Sequence, residues 1–82
     1  MHKEEVWSVS IQRASSFFRE QKDVAEIDDT TFQFGSCRIV LTELPPKGAW
    51  AIARIHLLMD GDDADVNVIY RRFMIQFLTT GG

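Results

Sequence analysis

Three apolar, β-rich segments separated by two turn signals constrain the fold of this chain more than any other feature. Residues 30–34, 37–44 and 50–59 are rich in Phe, Thr, Ile, Val and Leu, the composition of β-strands. Gly35-Ser36 predicts a two-residue hairpin turn, because glycine accepts a positive φ at its first position. Pro45-Pro46-Lys47-Gly48 predicts a second break, since proline donates no ladder hydrogen bond. The sequence therefore predicts a three-stranded antiparallel meander.

The N-terminal part of the chain has the spacing of an amphipathic helix. Its apolar residues recur at steps of four, three and four: Trp7, Ile11, Ala14 and Phe18. This spacing predicts a helix over residues 4–22. A strand remains a competing interpretation, because apolar residues and serines also alternate over residues 7–11. The longer helical period favours the helix, and the acidic residues 23–29 that follow are predicted as a loop that ends in a turn.

The C-terminal part of the chain admits two interpretations. Alternating apolar residues over 66–70 would form a fourth strand. Alternatively, Asp62 caps a helix over residues 63–79 with further acids in its first turn. That helix places six residues on one stripe: Val66, Ile69, Tyr70, Phe73, Met74 and Phe77. The stripe favours the helix.

Together these elements predict an α+β fold of order α-β-β-β-α, with two helices packed on one face of a three-stranded antiparallel sheet. The 82 residues make a single domain, 1–82. On the third strand, a row of alanines at 49, 51 and 53 precedes larger apolar residues. Because small side chains let a helix approach closely, this row predicts the helix-facing side.

The opposite side of the third strand is predicted to bind a protein partner. Its alternate positions carry Trp50, Ile52, Arg54 and Leu58. This mixture is amphipathic, and tryptophan and arginine are common anchors of protein interfaces. We therefore expect a partly exposed patch and a protein-interaction module.

Few residues offer catalytic or metal chemistry. Cys37 is the only cysteine, and its potential bases are His2 and His56. The acids of residues 60–65 lack the glycine and glutamate positions of a calcium-binding EF-hand loop. The sequence therefore predicts no catalytic residue, no metal site and no cofactor.

Composition and charge narrow the class of partner. Hydrophobic residues make up 45% and charged residues 26%, which excludes a disordered chain. No apolar run approaches the roughly 20 residues of a membrane span, and no signal peptide is present, so we expect a cytoplasmic protein without membrane contact. Acids cluster at 20–29 and 60–65, which argues against nucleic acid as a partner. An RNA-binding domain remains the alternative, and it would use Arg38, Arg54, Arg71 and Arg72.

The helix–strand pattern resembles the type III secretion chaperone-like group. The resembling segments are Phe17-Phe18-Arg19-Glu20, Glu26-Ile27-Asp28-Asp29, Thr31-Phe32-Gln33-Phe34, Arg38-Ile39-Val40-Leu41 and Ala51-Ile52-Ala53-Arg54-Ile55. The resemblance implies a small, acidic, dimeric subunit that binds a protein. The α-β-β-β-α order is also similar to that of double-stranded-RNA-binding domains and of the Alu-domain proteins of the signal recognition particle. The Gly81-Gly82 ending resembles the tail of ubiquitin-like modifiers, a remote alternative.

Self-association is predicted from the back of the second helix. Val68 and Ile75 fall opposite the apolar stripe, seven residues apart, and form a short heptad-like seam. Arg71 lies between them on the same side. Because so short a chain gains stability by burying surface between subunits, we expect a homodimer through these residues.

Overall fold

The computed structural model describes residues 1–79. In this range a five-stranded antiparallel sheet is covered on one face by two helices. Across the sheet the strand order is β1-β5-β4-β3-β2, so the first strand of the chain lies beside the last. In chain order the elements are β1 (His2–Trp7), α1 (Ile11–Glu20), β2 (Ala25–Asp28), β3 (Thr31–Phe34), β4 (Cys37–Lys47), β5 (Ile52–Asp60) and α2 (Asp63–Thr79).

The predicted helix over residues 4–22 is wrong in its first third, which forms β1. This strand pairs along its whole length with β5, and its pairing satisfies backbone groups that β5 would otherwise expose. The helix begins only at Ile11, where the Ser10 hydroxyl caps it by accepting a hydrogen bond from the backbone N–H of Arg13 at 3.2 Å. Trp7 reaches the core from the sheet, so the four-residue step from Trp7 to Ile11 is not a helical one.

The predicted three-stranded sheet of order α-β-β-β-α is also wrong. The order within residues 1–79 is β-α-β-β-β-β-α, because the supposed loop at 23–29 contains β2. Ala25 and Ile27 alternate with Glu26 and Asp28, but this alternation is only four residues long, lies within an acidic segment and marks no buried face, because all four side chains are exposed. The turn predicted at Asp28-Asp29 lies one residue later, at Asp29-Thr30, and the Asp28 carboxylate accepts a hydrogen bond from the N–H of Thr30 at 2.9 Å.

The second helix and the first hairpin turn are confirmed. α2 has the predicted bounds, and Gly35 has a φ of +56°. The break predicted over Pro45-Pro46-Lys47-Gly48 is confirmed only at Gly48, where the turn to β5 begins with a φ of +84°; the prolines do not interrupt β4, which continues to Lys47. Strand β3 no longer flanks β4 at this point, and pairing with β5 is irregular between Leu44 and Lys47, so the missing proline N–H groups cost the sheet little.

The core lies between the sheet and the helices. Phe18 of α1 stacks on Phe73 of α2 with ring centroids 5.5 Å apart. Four of the six predicted stripe residues are buried, and Tyr70 and Met74 are half-buried. The buried residues from the strands are Phe32, Cys37, Ile39, Leu41, Ile55, Leu57 and Met59. Both helices therefore pack on the same face, as predicted, and the other face of the sheet stays open.

Candidate functional site

The β4–β5 hairpin extends beyond the rest of the sheet and forms a two-stranded arm, residues 43–54. On one side β3 pairs with β4 only as far as Val40, and on the other side β1 ends opposite Ile55. Every residue of the arm is exposed except Leu44 and Arg54, which are half-buried. The arm therefore has no packing layer over either face.

A tryptophan lies at the tip of the arm. Trp50 is 88% exposed, in a turn closed by a 3.1 Å hydrogen bond from the N–H of Ala51 to the carbonyl of Gly48. Ala51 has a φ of +51°, a left-handed conformation that is unfavourable for a residue with a Cβ atom. Such strain is typical of functional sites. The tip therefore combines a strained backbone with a large apolar side chain that the fold does not bury.

Three of the four predicted partner-binding residues, Trp50, Ile52 and Arg54, follow the arm from its tip to its base, and Leu58 lies farther along β5 in the main sheet. Ile52, Arg54 and Leu58 occupy alternate positions of β5 on the open face, and Ile52 is 48% exposed. Arg54 donates a hydrogen bond from Nη2 to the Pro45 carbonyl at 3.1 Å, which ties the two strands of the arm together. Trp50 lies in the turn and not in a strand, although the sequence predicted a strand over 50–59. It therefore lies beyond the end of the row formed by Ile52, Arg54 and Leu58.

The alanine row does not face a helix. Ala49, Ala51 and Ala53 are exposed, because they belong to the arm and neither helix reaches them. The helix-facing assignment holds only for the deeper residues of the same side, Ile55, Leu57 and Met59. Small side chains in this strand therefore indicate a protruding ribbon and not a close helix contact.

Strand β1 contributes a charged cluster to the open face that the sequence analysis missed. The Glu4 carboxylate lies 2.9 Å from His2 Nε2 and 3.1 Å from Nε2 of His56 on β5. His2 Nδ1 lies 3.8 Å from Asp60. The hydrogen bond to Glu4 raises the pKa of His2, and the same bond lowers the pKa of Glu4. Only the pairing of β1 with β5 brings these residues together.

The potential catalytic groups lie on opposite faces of the sheet. Cys37 faces the core, where burial raises the pKa of its thiol. His56 lies on the open face. Within residues 1–79 no three His, Cys, Asp or Glu side chains are close enough together to hold a metal ion.

The acids that precede and begin α2 have structural partners. The Asp65 carboxylate accepts hydrogen bonds from the N–H and the hydroxyl of Ser36 at 2.9 and 2.8 Å, and these bonds lower its pKa. The same hydroxyl accepts a bond from the N–H of Asp62 at 2.9 Å. These acids therefore attach the start of α2 to the Gly35-Ser36 turn.

The four arginines of the RNA-binding alternative do not share a surface. Arg72 forms a two-point ion pair with Asp23 at 2.8 and 3.0 Å, which connects α2 to the turn after α1. Arg54 is bonded within the arm. Arg38 lies on the open face, whereas Arg71 is on α2, across the sheet. The structure does not bring them together into a basic patch.

The predicted self-association residues are all exposed on the side of α2 that faces away from the sheet. Val68 is 45% and Ile75 is 54% exposed, and Arg71 lies between them. Leu78, which the sequence analysis did not select, is 62% exposed. Self-association through Val68, Arg71 and Ile75 stays a prediction, and the Gly81-Gly82 ending lies outside the described residues.

Comparisons with known proteins return nothing similar to this chain. No family model matches it, and no curated protein or solved structure matches it. Among residues 1–79, neither helix has both the length and the apolar character that crossing a membrane requires.

Proposed function

We propose that this protein is a non-enzymatic interaction module, chaperone-like or adaptor-like, that binds a protein partner through the arm and the adjoining open face. The observation that carries the proposal is Trp50, which is 88% exposed at the tip of an arm with no packing layer. The chaperone-like part of the proposal rests on the sequence segments that resemble small secretion chaperones, and not on the order of the elements, which differs from the predicted α-β-β-β-α. A cytoplasmic setting is part of the proposal, supported by the free thiol of Cys37.

The energetics of the exposed residues support this role. An indole offers about 150–250 Å² of surface to a partner, and its transfer from water is favourable. Tryptophan is among the residues whose truncation most often costs more than about 2 kcal/mol of binding energy at protein interfaces. Ile52, 48% exposed, and the guanidinium of Arg54 extend the contact along one face of β5. Since this surface contributes little to folding, we attribute it to binding.

Site-specific photo-crosslinking in the native source tests the proposal. Benzoylphenylalanine replaces Trp50 in one variant, and in the control it replaces Lys22, which is exposed in the turn after α1. We expect one saturable protein adduct at position 50 and none at position 22. Excess unlabelled wild type should compete the adduct away, whereas excess Trp50→Ala protein should not. If position 50 gives no saturable adduct, the proposal is wrong.

The RNA-binding alternative has a direct test of its own. Phosphate contacts release counterions, so any RNA affinity must fall steeply as salt rises. A charge-reversal variant, Arg38→Glu, should weaken such binding if the open face is responsible. We expect no salt-dependent RNA affinity, because the arginines lie on different sides of the molecule.

A further inference from the structure

The outer edge of β1 has neither the bulge nor the prolines that interrupt the free edges of β2 and β4, and only its charged residues 2–5 oppose the addition of another strand. Exposed edges are commonly blocked by bulges, prolines or charged side chains, because free N–H and C=O groups are a template for another strand. On β2 the register shifts between Glu26 and Asp28. On β4 the exposed edge contains Pro45 and Pro46. Strand β1 pairs without irregularity and contains no proline.

The register identifies which groups of β1 point outward. The N–H of Leu41 bonds to the carbonyl of Thr30 at 2.8 Å, on the β3 side of β4. Backbone bonds alternate along an antiparallel strand, so the even-numbered residues of β4 bond to β5 and the odd-numbered residues of β5 bond to β1. The outward N–H and C=O groups of β1 therefore belong to His2, Glu4 and Val6.

We propose that β1 is a self-association edge to which a second copy of this chain adds its own β1, antiparallel, about a two-fold axis at Glu4. In this register His2 lies opposite the partner's Val6, so every outward backbone group meets a complementary one. The two sheets then form one continuous sheet. The interface does not involve the arm, so this proposal stands independently of the function proposed above.

Charge complementarity supports this register. On the helix-covered side, Lys3 lies opposite the partner's Glu5, and Glu5 lies opposite the partner's Lys3, which gives two favourable cross-strand pairs. On the open side the two Glu4 carboxylates meet at the axis, which is unfavourable. Each of them is already 2.9 Å from His2 and 3.1 Å from His56 of its own chain, and these imidazoles offset the repulsion when protonated. Asp60 and Arg38 are the other charged groups of this row.

The position of α2 above β1 also favours self-association at this edge. Tyr70 donates a 2.7 Å hydrogen bond to Glu5, and Lys3 Nζ lies 4.4 Å from the Tyr70 ring, so α2 lies above β1. Helical spacing places Asn67, Met74 and Leu78 along the same flank. A second copy joined at β1 brings its own α2 beside this flank. The interface would then cover Leu78, which is 62% exposed in the single chain.

A proline substitution tests the edge directly. Glu4→Pro removes an outward N–H that the fold does not use and leaves the ladder to β5 intact. We expect sedimentation velocity to show a wild-type dimer, and Glu4→Pro to raise its dissociation constant at least about tenfold with an unchanged circular dichroism spectrum. The double variant Val68→Glu, Ile75→Glu on the solvent face of α2 separates this edge from the α2 seam that the sequence predicts: it should remain dimeric if β1 is the interface, and a monomeric double variant overturns the proposal.

A charge exchange keeps the proposal testable if the proline variant does not fold. Lys3→Glu alone and Glu5→Lys alone each place like charges opposite one another, so each should be monomeric. An equimolar mixture restores both pairs, so it should form a heterodimer. A wild type that is monomeric at millimolar concentration overturns the proposal. A Glu4→Pro protein that folds and remains dimeric also does, as does a mixture of the two charge variants that stays monomeric.

Discussion

The inner and outer halves of the β4–β5 hairpin differ in what covers them, although both are rich in apolar residues. In the inner half, Ile39, Leu57 and Met59 alternate with open-face residues and are buried beneath the helices. In the outer half, Ile52 and Trp50 remain exposed because neither helix extends that far. Both halves therefore form because their residues favour strands and pair as a hairpin. Only in the inner half does the burial of apolar side chains stabilise the fold. The outer half can change its side chains at little cost to folding, which is what a binding surface requires.

The largest expected effect is the loss of folding stability when a large side chain is removed from the core beneath the helices. Phe73 is fully buried and contacts Trp7, Phe17, Phe18 and Phe77. Phe73→Ala should lower the free energy of unfolding by about 3–5 kcal/mol, because a cavity forms where these rings meet. Urea denaturation measures the change. Val68→Ala on the exposed face of the same helix is the control, with an expected change within about 0.5 kcal/mol. A Phe73→Ala loss below about 1 kcal/mol would contradict this account of the core.

Two glycines allow the cost of the same substitution to be compared between the packed part of the sheet and the arm. A Cβ on Gly61, at the end of β5, would lie 2.6 Å from both Cys37 Cα and the Ser36 carbonyl oxygen. Gly61→Ala should therefore cost about 2–3 kcal/mol, since backbone atoms cannot move aside easily. Gly48 in the arm has a φ of +84° and no atom within 4 Å of an added Cβ. Gly48→Ala should cost about 1 kcal/mol, from its conformation alone. Equal losses in chemical denaturation would show that the contact at Gly61 does not matter.

The elements that the sequence predicted correctly are those whose information is local. The stripe of α2 repeats over about three turns, and Gly35-Ser36 is a turn of two residues, so neither needs knowledge of the rest of the chain. Strand β1 has no such signal, because its first four residues, 2–5, are all charged or titratable. It becomes a strand by pairing with β5, more than 45 residues away in sequence. Strand β1 was missed for this reason, whereas β2, which pairs with the adjacent β3, was missed because its four exposed residues lie within an acidic segment.

The candidate site was predictable to a similar extent. Period-two alternation correctly placed Ile52, Arg54 and Leu58 on one side of a strand. The position of Trp50 at a tip required the ends of β1 and β3, which decide how far the arm protrudes. The cluster around Glu4 required the β1–β5 register. Sequence reasoning therefore identified side chains of the site, but it could not show that neither a helix nor a neighbouring strand covers them.

The two tryptophans allow the packed part of the sheet and the arm to be compared by fluorescence, because Trp7 lies in β1 and Trp50 lies at the tip of the arm. Trp7 is half-buried, packs edge-on against Phe73 at 5.0 Å and donates a hydrogen bond to Glu5 at 3.0 Å. Trp50→Phe leaves only Trp7, and its emission should shift to shorter wavelength and resist acrylamide quenching. Trp7→Phe leaves only Trp50, which should be quenched almost as strongly as a free indole. Trp50→Phe should change the free energy of unfolding by no more than about 0.5 kcal/mol. Weak quenching of Trp50 would show that the arm folds back on the protein.

The smallest expected effect is a change in stability with pH, and it comes from the contact between Glu4 and His2 on the open face of β1. The pKa of His2 is raised above 6.5, so its stabilisation is present below pH 6.5 and is lost as pH rises through the raised value. The pKa of Glu4 is lowered below 4.5, so its stabilisation is present above pH 4.5 and is lost as pH falls through the lowered value. Both contributions are therefore present together between pH 4.5 and 6.5. In urea denaturation at one protein concentration, Glu4→Gln should lose more stability relative to wild type at pH 5.5 than at pH 8. Val6→Thr on the same strand and face is the control, and its difference from wild type should not change with pH. A Glu4→Gln loss that is equal at both pH values, or larger at pH 8, would show that the contact between Glu4 and His2 does not stabilise the fold.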